Sequence, residues 1–229
     1  MSLEAITESI RSTGAAIVAG PLEGIFPALD AEIAARGKTW RDVVRTWFYI
    51  RDIAANYARF NELRTAAFAA RGVSPLPAST GIGLDGDVPE VTAAVIFASE
   101  GWRPVASPLQ VEASVYGSRF SRAAEVVGGA LYVSGTAALE GVSVAAAGDF
   151  AAQMNLALDA VEAILSSRGR TWRDVTRAIA YCRDASDIPF ARSRLSPDGP
   201  YGFLKVRPLV VRADVCRPDW LFELEVDAR

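Results

Sequence analysis

The chain has 229 residues, a formal net charge of −3 and no histidine. Its acidic balance argues against a nucleic-acid surface, because phosphate binding depends on clustered positive charge. The lack of histidine excludes a Ser-His-Asp triad, an HExxH zinc site and a two-histidine iron site. Proton transfer must therefore come from other groups, and best from an Asp or Glu whose pKa is raised by its surroundings.

Apolar runs and cysteines bound the class of protein further. No uninterrupted apolar run approaches the roughly 18 residues that a membrane span needs. Only two cysteines occur, Cys182 and Cys216, and a chain of this size with so few is typical of a reduced compartment, so we expect two free thiols. These features predict a cytoplasmic protein that contacts neither membrane nor nucleic acid, and no metal or organic cofactor is expected.

One segment of the sequence occurs twice. GKTWRDVVRTWFYIRD begins at Gly37 and GRTWRDVTRAIAYCRD begins at Gly169, so the offset is 169 − 37 = 132 residues. Each copy is preceded by a helical pattern and continues into a run rich in β-branched and aromatic residues, which favours a strand. The chain is therefore predicted to contain two copies of one module.

The elements of the first copy continue with a helix in NYARFNELRTAAFAARG, followed by two strands in PLPASTGIGL and VTAAVIFAS. Within them, GIGLDG formally matches the GxGxxG pattern. No helix follows it, so we predict a strand and a turn rather than a dinucleotide site.

The elements of the second copy have the order ββαβαββ. RFSRAAEVVGGALYVSGTAAL reads as a hairpin that turns near Gly128 and Gly129. A helix starts after Asp149 and ends at Gly169. The next helix is reduced to IPFARSRL or to a loop, and the last two strands lie in VRPLVVRADV and WLFELEVDA.

These sequence segments and their order resemble the YjgF/RidA superfamily over about residues 119–228. RTWFYIRDI, FNELR, PASTGIG and SVYGSRFSRA resemble more closely the chorismatases, double-module relatives that cleave pyruvate from chorismate. The resemblance implies an α+β fold of two βαβαββ modules, each a mixed sheet with helices packed on one face, over residues 1–105 and 106–229. The first module shows no opening hairpin, and we expect a homo-oligomer to cover the resulting strand edge.

The closing strand carries the acid that the resemblance implies. Alternation along WLFELEVDA places Glu223, Glu225 and Asp227 on one face. The superfamily's acid sits at the first Glu of this motif, which implies a catalytic Glu223. For Glu225 and Asp227 we expect the solvent-facing side of a sheet edge.

A pocket for chorismate needs cations for its two carboxylates, and arginine suits this role through its bidentate fork. Arg45 and Arg177 of the repeated strands are further candidates, although a solvated surface is the expected reading of that face. The substrate-binding residues that the resemblance implies are Arg119, Phe120, Ser134, Gly135, Thr136, Arg207 and Arg212.

Two small residues bear on the product. In the chorismatases that form 3-hydroxybenzoate, a Gly on the hairpin and a Cys shortly before the acid shape the pocket. Gly129 and Cys216 match these positions. The same residues would also be expected if Gly129 were only a turn glycine and Cys216 only a small buried residue. The pair favours 3-hydroxybenzoate over the dihydroxycyclohexadiene acid that hydrolytic members form.

Two alternatives remain open. A RidA-like imine or enamine deaminase would use the same Arg and Glu to hold a small imine and a water. It needs no additional arginine for a second carboxylate, so the number of pocket arginines separates the two enzymes. The other alternative is a non-catalytic protein that binds a small ligand.

Overall fold

A computed structural model describes residues 3–199 and 206–229. The described residues form five α-helices and thirteen β-strands, numbered here in chain order. The helices are α1 (Leu3–Arg11), α2 (Ile25–Ala35), α3 (Ile53–Ala70), α4 (Phe150–Ser167) and α5 (Ile188–Arg194). The strands are β1 (Ala16–Gly20), β2 (Val43–Arg51), β3 (Ala78–Leu84), β4 (Val91–Phe97), β5 (Trp102–Val105), β6 (Ala123–Val126), β7 (Leu131–Ala137), β8 (Leu139–Glu140), β9 (Ser143–Val144), β10 (Val175–Cys182), β11 (Leu209–Arg212), β12 (Asp214–Val215) and β13 (Phe222–Ala228).

The strands form two main mixed sheets whose central strands are arranged in the same way. The first has the order β1-β4-β2-β3-β12, and the second has the order β11-β10-β13-β7-β6-β5. In both sheets the repeated strand, β2 or β10, pairs in parallel with one neighbour and antiparallel with the other. The predicted α+β fold with two copies of one module is confirmed. Strand β5, which lies before the predicted division at residue 105, pairs with β6 of the second sheet.

Helices cover the outer face of each sheet, and the inner faces pack against each other. Helix α4 buries Met154, Val161 and Leu165 against the second sheet. Helices α2 and α3 bury a cluster that includes Phe26 and Phe60 against the first. None of the helices in the described residues combines the length and apolar character needed to span a bilayer.

The repeated sequence segment forms the same turn and strand in each module. Thr39 and Asp42 exchange hydrogen bonds in a reciprocal capping box, and Thr171 and Asp174 repeat it. The repeated strands that follow meet at the contact between the two sheets, where the hydroxyl oxygens of Tyr49 and Tyr181 lie 2.8 Å apart. Because 181 − 49 equals the repeat offset, equivalent residues of the two copies meet at this contact.

The repeated arginines lie in the interior, so the solvated-surface reading of Arg45 and Arg177 is wrong. The Arg45 side chain is completely buried and that of Arg177 is 9% exposed. The prediction that Glu225 and Asp227 face solvent at a sheet edge is also wrong. Both side chains are buried, and β13 lies between β10 and β7. Face-to-face packing of the two sheets turns a polar strand face into interior, and the two arginines and two acids pair there.

The two modules begin differently. The second opens with the predicted hairpin of β6 and β7, closed by a hydrogen bond from the Val126 amide to the Ala130 carbonyl. The first opens with α1 and the single strand β1, which pairs with β4. Within the described residues, no strand precedes β1 with which it could form a hairpin. Helix α1 buries Ile6 and Ile10 in the cluster between the sheets.

Candidate active site

A cavity of about 290 Å³ lies where the two modules meet. The first module supplies one face of α3 and the middle of β3. The second supplies the segment before β6, the end of β7, the segment before β13 and the first acid of β13. The cavity thus contains the motif acid of one module and a helix of the other. Both modules are needed to enclose it.

Glu223 lies at the inner wall of this cavity. Its strand places it between Tyr181 of β10 and Ala137 of β7, and the residue is 4% exposed. Burial and the nearby Glu225 raise the pKa of Glu223 to about 8, against the opposing attraction of Arg45 and Arg122. A carboxyl group with this pKa is mainly protonated at neutral pH and can deliver a proton.

Gly135 allows the carboxyl group to lie where it does. A Cβ built on this glycine would overlap Oε1 of Glu223 and would come 3.2 Å from Cγ2 of Thr80. Glu223 therefore packs directly on the backbone of β7. Any larger residue at 135 would displace the acid.

The cavity is lined by three arginines, Arg64, Arg122 and Arg217. None of them belongs to an ion pair within the described ranges, and they bond instead to neutral oxygens of Asn61, Val111 and Val142. The Arg64 Nε atom is buried without a hydrogen-bond partner among the described residues. Arg64 and Arg122 are buried without an ion-pair partner in the described chain, which costs free energy, so this arrangement is suited to an anionic ligand.

Aromatic rings hold these arginines in place. The Arg64 guanidinium lies 5.2 Å from the ring of Phe60 and 5.9 Å from that of Phe120. Arg122 lies 5.3 Å from the Tyr116 ring, and Arg217 lies 5.1 Å from the same ring on Tyr116. Such contacts stabilise a cation without neutralising it. The positive charge remains available to a bound anion.

A thiol and a phenol complete the wall beside the acid. Cys216 and Tyr57 both line the cavity and interact with each other. Burial, followed by the nearby Glu223, raises the pKa of Cys216 to about 12, so the thiol is neutral. Both cysteines are free, as predicted. Cys216 therefore shapes the cavity rather than serving as a nucleophile.

The predicted site residues divide into two groups. Glu223, Phe120, Gly135 and Cys216 line the cavity. The other six do not: Arg119, Gly129, Ser134, Thr136, Arg207 and Arg212 lie outside its lining.

The residues outside the lining have other surroundings. Ser134 is buried, donates a hydrogen bond to the Ser121 carbonyl and accepts one from the Ser79 amide, while Thr136 donates to the Ser134 carbonyl. Arg212 is exposed and pairs with Asp85 and Asp214. Arg207 is exposed near α5. Arg119 lies before β6, and its Nε atom is buried. Gly129 lies at the hairpin turn.

Three cavity arginines were missed by the sequence analysis, although a signal for one of them was present. Tyr57, Asn61 and Arg64 follow the spacing of one helix face on α3, and all three line the cavity. Polar and aromatic side chains on the helix face that packs toward the protein indicate a site. Arg122 and Arg217 lie in irregular segments and had no comparable signal.

Only one of the two modules carries acids on its closing strand. Tyr181 pairs with Glu223 and Arg177 with Asp227, whereas the equivalent Tyr49 and Arg45 pair with Thr92 and Ile96. The site is therefore asymmetric. The first module contributes binding groups to an acid of the second.

Comparison with known proteins identifies the family. The family model described as Endoribonuclease L-PSP matches residues 112–229, and the chain belongs to this family. The chain is 31% identical over 224 residues to a 3-hydroxybenzoate synthase of Streptomyces hygroscopicus and 30% identical over 218 residues to a chorismatase of Streptomyces rapamycinicus. These alignments cover 81% and 80% of this chain and 63% of each relative.

A solved structure has the same fold. A chorismatase crystal structure superposes with a TM-score of 0.75 at 24% identity, covering 94% of this chain and 73% of that one. The predicted resemblance to chorismatases within the YjgF/RidA-like superfamily is confirmed. The chain spans 63% of the length of the curated relatives named above.

Proposed function

We propose that this chain cleaves the enolpyruvyl ether of chorismate and releases pyruvate, with Glu223 as the general acid. The observation that carries the proposal is one cavity in which a protonated Glu223 faces Arg64, Arg122 and Arg217, none of which forms an ion pair among the described residues. Chorismate carries two carboxylates, and a deaminase acting on a small imine needs only one cation for its substrate. More than one free arginine therefore favours chorismate over the imine.

The reaction needs one proton at one carbon. Glu223 donates its proton to the methylene of the enolpyruvyl group, which becomes the methyl group of pyruvate as the ether bond to the ring breaks. Burial keeps the acid protonated until the substrate binds. General acid catalysis of this kind contributes on the order of a hundred- to ten-thousand-fold in rate.

The ring product depends on which nucleophile attacks the ring carbon that loses the pyruvate unit. If the ring hydroxyl attacks the neighbouring carbon, its proton returns to Glu223 and the resulting arene oxide rearomatises to 3-hydroxybenzoate without consuming water. If water attacks, one water is consumed and the dihydroxycyclohexadiene acid forms. We propose the first course, supported by the neutral thiol of Cys216 beside the acid and by the 3-hydroxybenzoate synthase among the relatives.

The direct test incubates the purified chain with chorismate and identifies the products by chromatography. We expect pyruvate and 3-hydroxybenzoate in equal amounts. Chorismate that stays intact, while a small imine is hydrolysed, would establish the deaminase instead. Chorismate that binds unchanged would establish a binding protein.

Replacement of Arg64 should weaken substrate binding. Arg64→Met keeps much of the side chain's length and removes a charge-assisted hydrogen bond worth about 1.5–3 kcal/mol. We expect the dissociation constant for chorismate to rise by about ten- to a hundred-fold, measured by calorimetry in the Glu223→Gln background so that no turnover occurs. Arg59→Met is the matched control, because Arg59 is exposed on the same helix and pairs with Glu23. Equal affinity in both variants would remove Arg64 from the binding site.

Replacement of Cys216 should change the ratio of ring products. Cys216→Ala opens space beside the acid, and a difference of about 1.4 kcal/mol between two barriers changes a ratio tenfold. We expect more of the dihydroxycyclohexadiene acid, measured by chromatography. Gly129→Ala is the control, since its added methyl would contact only Val126 at the hairpin turn. A ratio that changes with Gly129→Ala and not with Cys216→Ala would contradict this assignment.

A further inference from the structure

Glu225 is held between the two modules by equivalent residues of the repeat. Arg45 Nη2 donates to its Oε2 at 2.9 Å, and Arg177 Nη2 donates to its Oε1 at 2.6 Å. The Trp47 indole donates to the same carboxylate at 2.9 Å. Both arginines also lie over the Trp47 ring, at 4.6 and 5.2 Å. We call this group, Arg45, Trp47, Arg177 and Glu225, the clamp.

The clamp connects to the backbone on which Glu223 packs. Arg45 Nη2 also donates to the Thr80 hydroxyl at 2.6 Å. The same hydroxyl oxygen accepts a hydrogen bond from the Gly135 amide at 3.0 Å. Because the Glu223 carboxyl group packs on Gly135, a continuous chain of hydrogen bonds links Glu225 to the backbone beneath Glu223.

The clamp also sets the charge that Glu223 experiences. Glu225 and Glu223 face the same side of β13, and the negative charge of Glu225 offsets that of Arg45. The described charged or titratable groups packed near Glu223 are Tyr57 and Arg64 of α3, Arg45 of β2, Arg122 before β6, Tyr181 of β10, Cys216 and Arg217 before β13, and Glu225 of β13. Among these, Glu225 is the anion that stays ionised, because Arg177 and Arg45 hold its pKa below the ordinary value despite burial.

We propose that Glu225 is a positioning residue for Glu223: held by Arg45 and Arg177 across the two sheets, it keeps the acid seated on Gly135 and protonated. The importance of a protonated Glu223 rests on the function proposed above. The arrangement itself predicts a property of the unliganded protein. It also accounts for the duplicated arginines, since each module supplies one arm of the clamp.

The test is an infrared titration of the Glu223 carboxyl group, isolated by subtracting the spectrum of Glu223→Gln. In the otherwise unchanged protein we expect half-protonation near pH 8. Glu225→Gln removes the anion and leaves Arg45 uncompensated, and both changes favour ionised Glu223. We therefore expect its midpoint to fall by at least one pH unit, a tenfold increase in the acid dissociation constant.

Asp227→Asn is the matched control. Asp227 is a buried acid of the same strand, pairs with Arg177 and is not among the groups that shift Glu223. We expect this variant to move the midpoint by less than threefold in the dissociation constant. An unmoved midpoint in Glu225→Gln, or an equal shift in both variants, would overturn the proposal.

A second variant keeps the proposal testable should Glu225→Gln not fold. Arg177→Gln removes the cation that most strongly keeps Glu225 ionised and is not among the groups that act directly on Glu223. Glu225 then takes up a proton more readily, so the midpoint of Glu223 should fall below that of the unchanged protein. A midpoint that rises or stays constant would contradict the clamp. Neither titration involves a substrate, so chorismate turnover can fail without affecting this result, and the reverse also holds.

Discussion

Glu223→Gln should lower the rate of pyruvate release from chorismate by about a hundred- to ten-thousand-fold. The amide has nearly the same shape as the carboxylic acid but cannot deliver the proton. Glu223 lies in a cavity whose arginines are contributed by other elements, so chorismate binding should change far less than the rate. The rate is measured by coupling pyruvate to lactate dehydrogenase, and binding by calorimetry.

Glu140→Gln is the control for this loss, because Glu140 is an exposed acid on β8. It should leave the rate unchanged. Circular dichroism of both variants should match the unchanged protein, which separates a lost proton donor from a lost fold. Turnover that survives in Glu223→Gln would remove Glu223 from the mechanism.

Gly135→Ala should reduce turnover nearly as strongly as Glu223→Gln. The new Cβ would occupy the position of Glu223 Oε1, so the carboxyl group must leave its seat. Overpacking of this kind costs typically 1–3 kcal/mol of stability, and a misplaced catalytic group loses about a hundredfold in rate. Stability is measured by urea unfolding and rate by the same coupled assay.

Gly81→Ala is the matched control for this change. Gly81 lines the same cavity, and a Cβ there would make an ordinary contact of 3.7 Å with Tyr57. We expect it to retain most of the activity. Equal rates in Gly135→Ala and Gly81→Ala would show that the acid does not depend on the glycine beneath it.

The fold was predictable because its signals are local or repeated. The duplicated segment located both modules, and each copy supplies its own turn through a capping box of Thr and Asp. The hairpin turn and the long helix α4 follow from glycine positions and from an N-cap at Asp149. These features depend on neighbours in sequence, and the structure agrees with them.

The site was predictable only in part, because its contacts join distant segments. The motif pointed to Glu223, which lines the cavity. Strand alternation could not show whether the face bearing Glu225 meets solvent or a second sheet, and the answer depends on Arg45, 180 residues away. The resemblance implied a binding role for Arg212, but Arg212 pairs with Asp85 at the surface.

The cavity arginines show the same limit. Arg64 is placed by the packing of α3 of the first module against the second, an arrangement that no local pattern encodes. Arg217 is held by the rings of Tyr116 and Trp220 in a segment without regular structure. Their role depends on lacking a carboxylate partner, which only the assembled structure can show.

A crystal structure of Glu223→Gln with chorismate tests the central claim most directly. We expect the enolpyruvyl methylene to lie about 3–3.5 Å from the substituted side chain, a distance at which the native acid could transfer its proton. The two carboxylates should contact guanidinium groups among Arg64, Arg122 and Arg217. Chorismate bound outside this cavity, or with its enolpyruvyl group turned away from residue 223, would contradict the account.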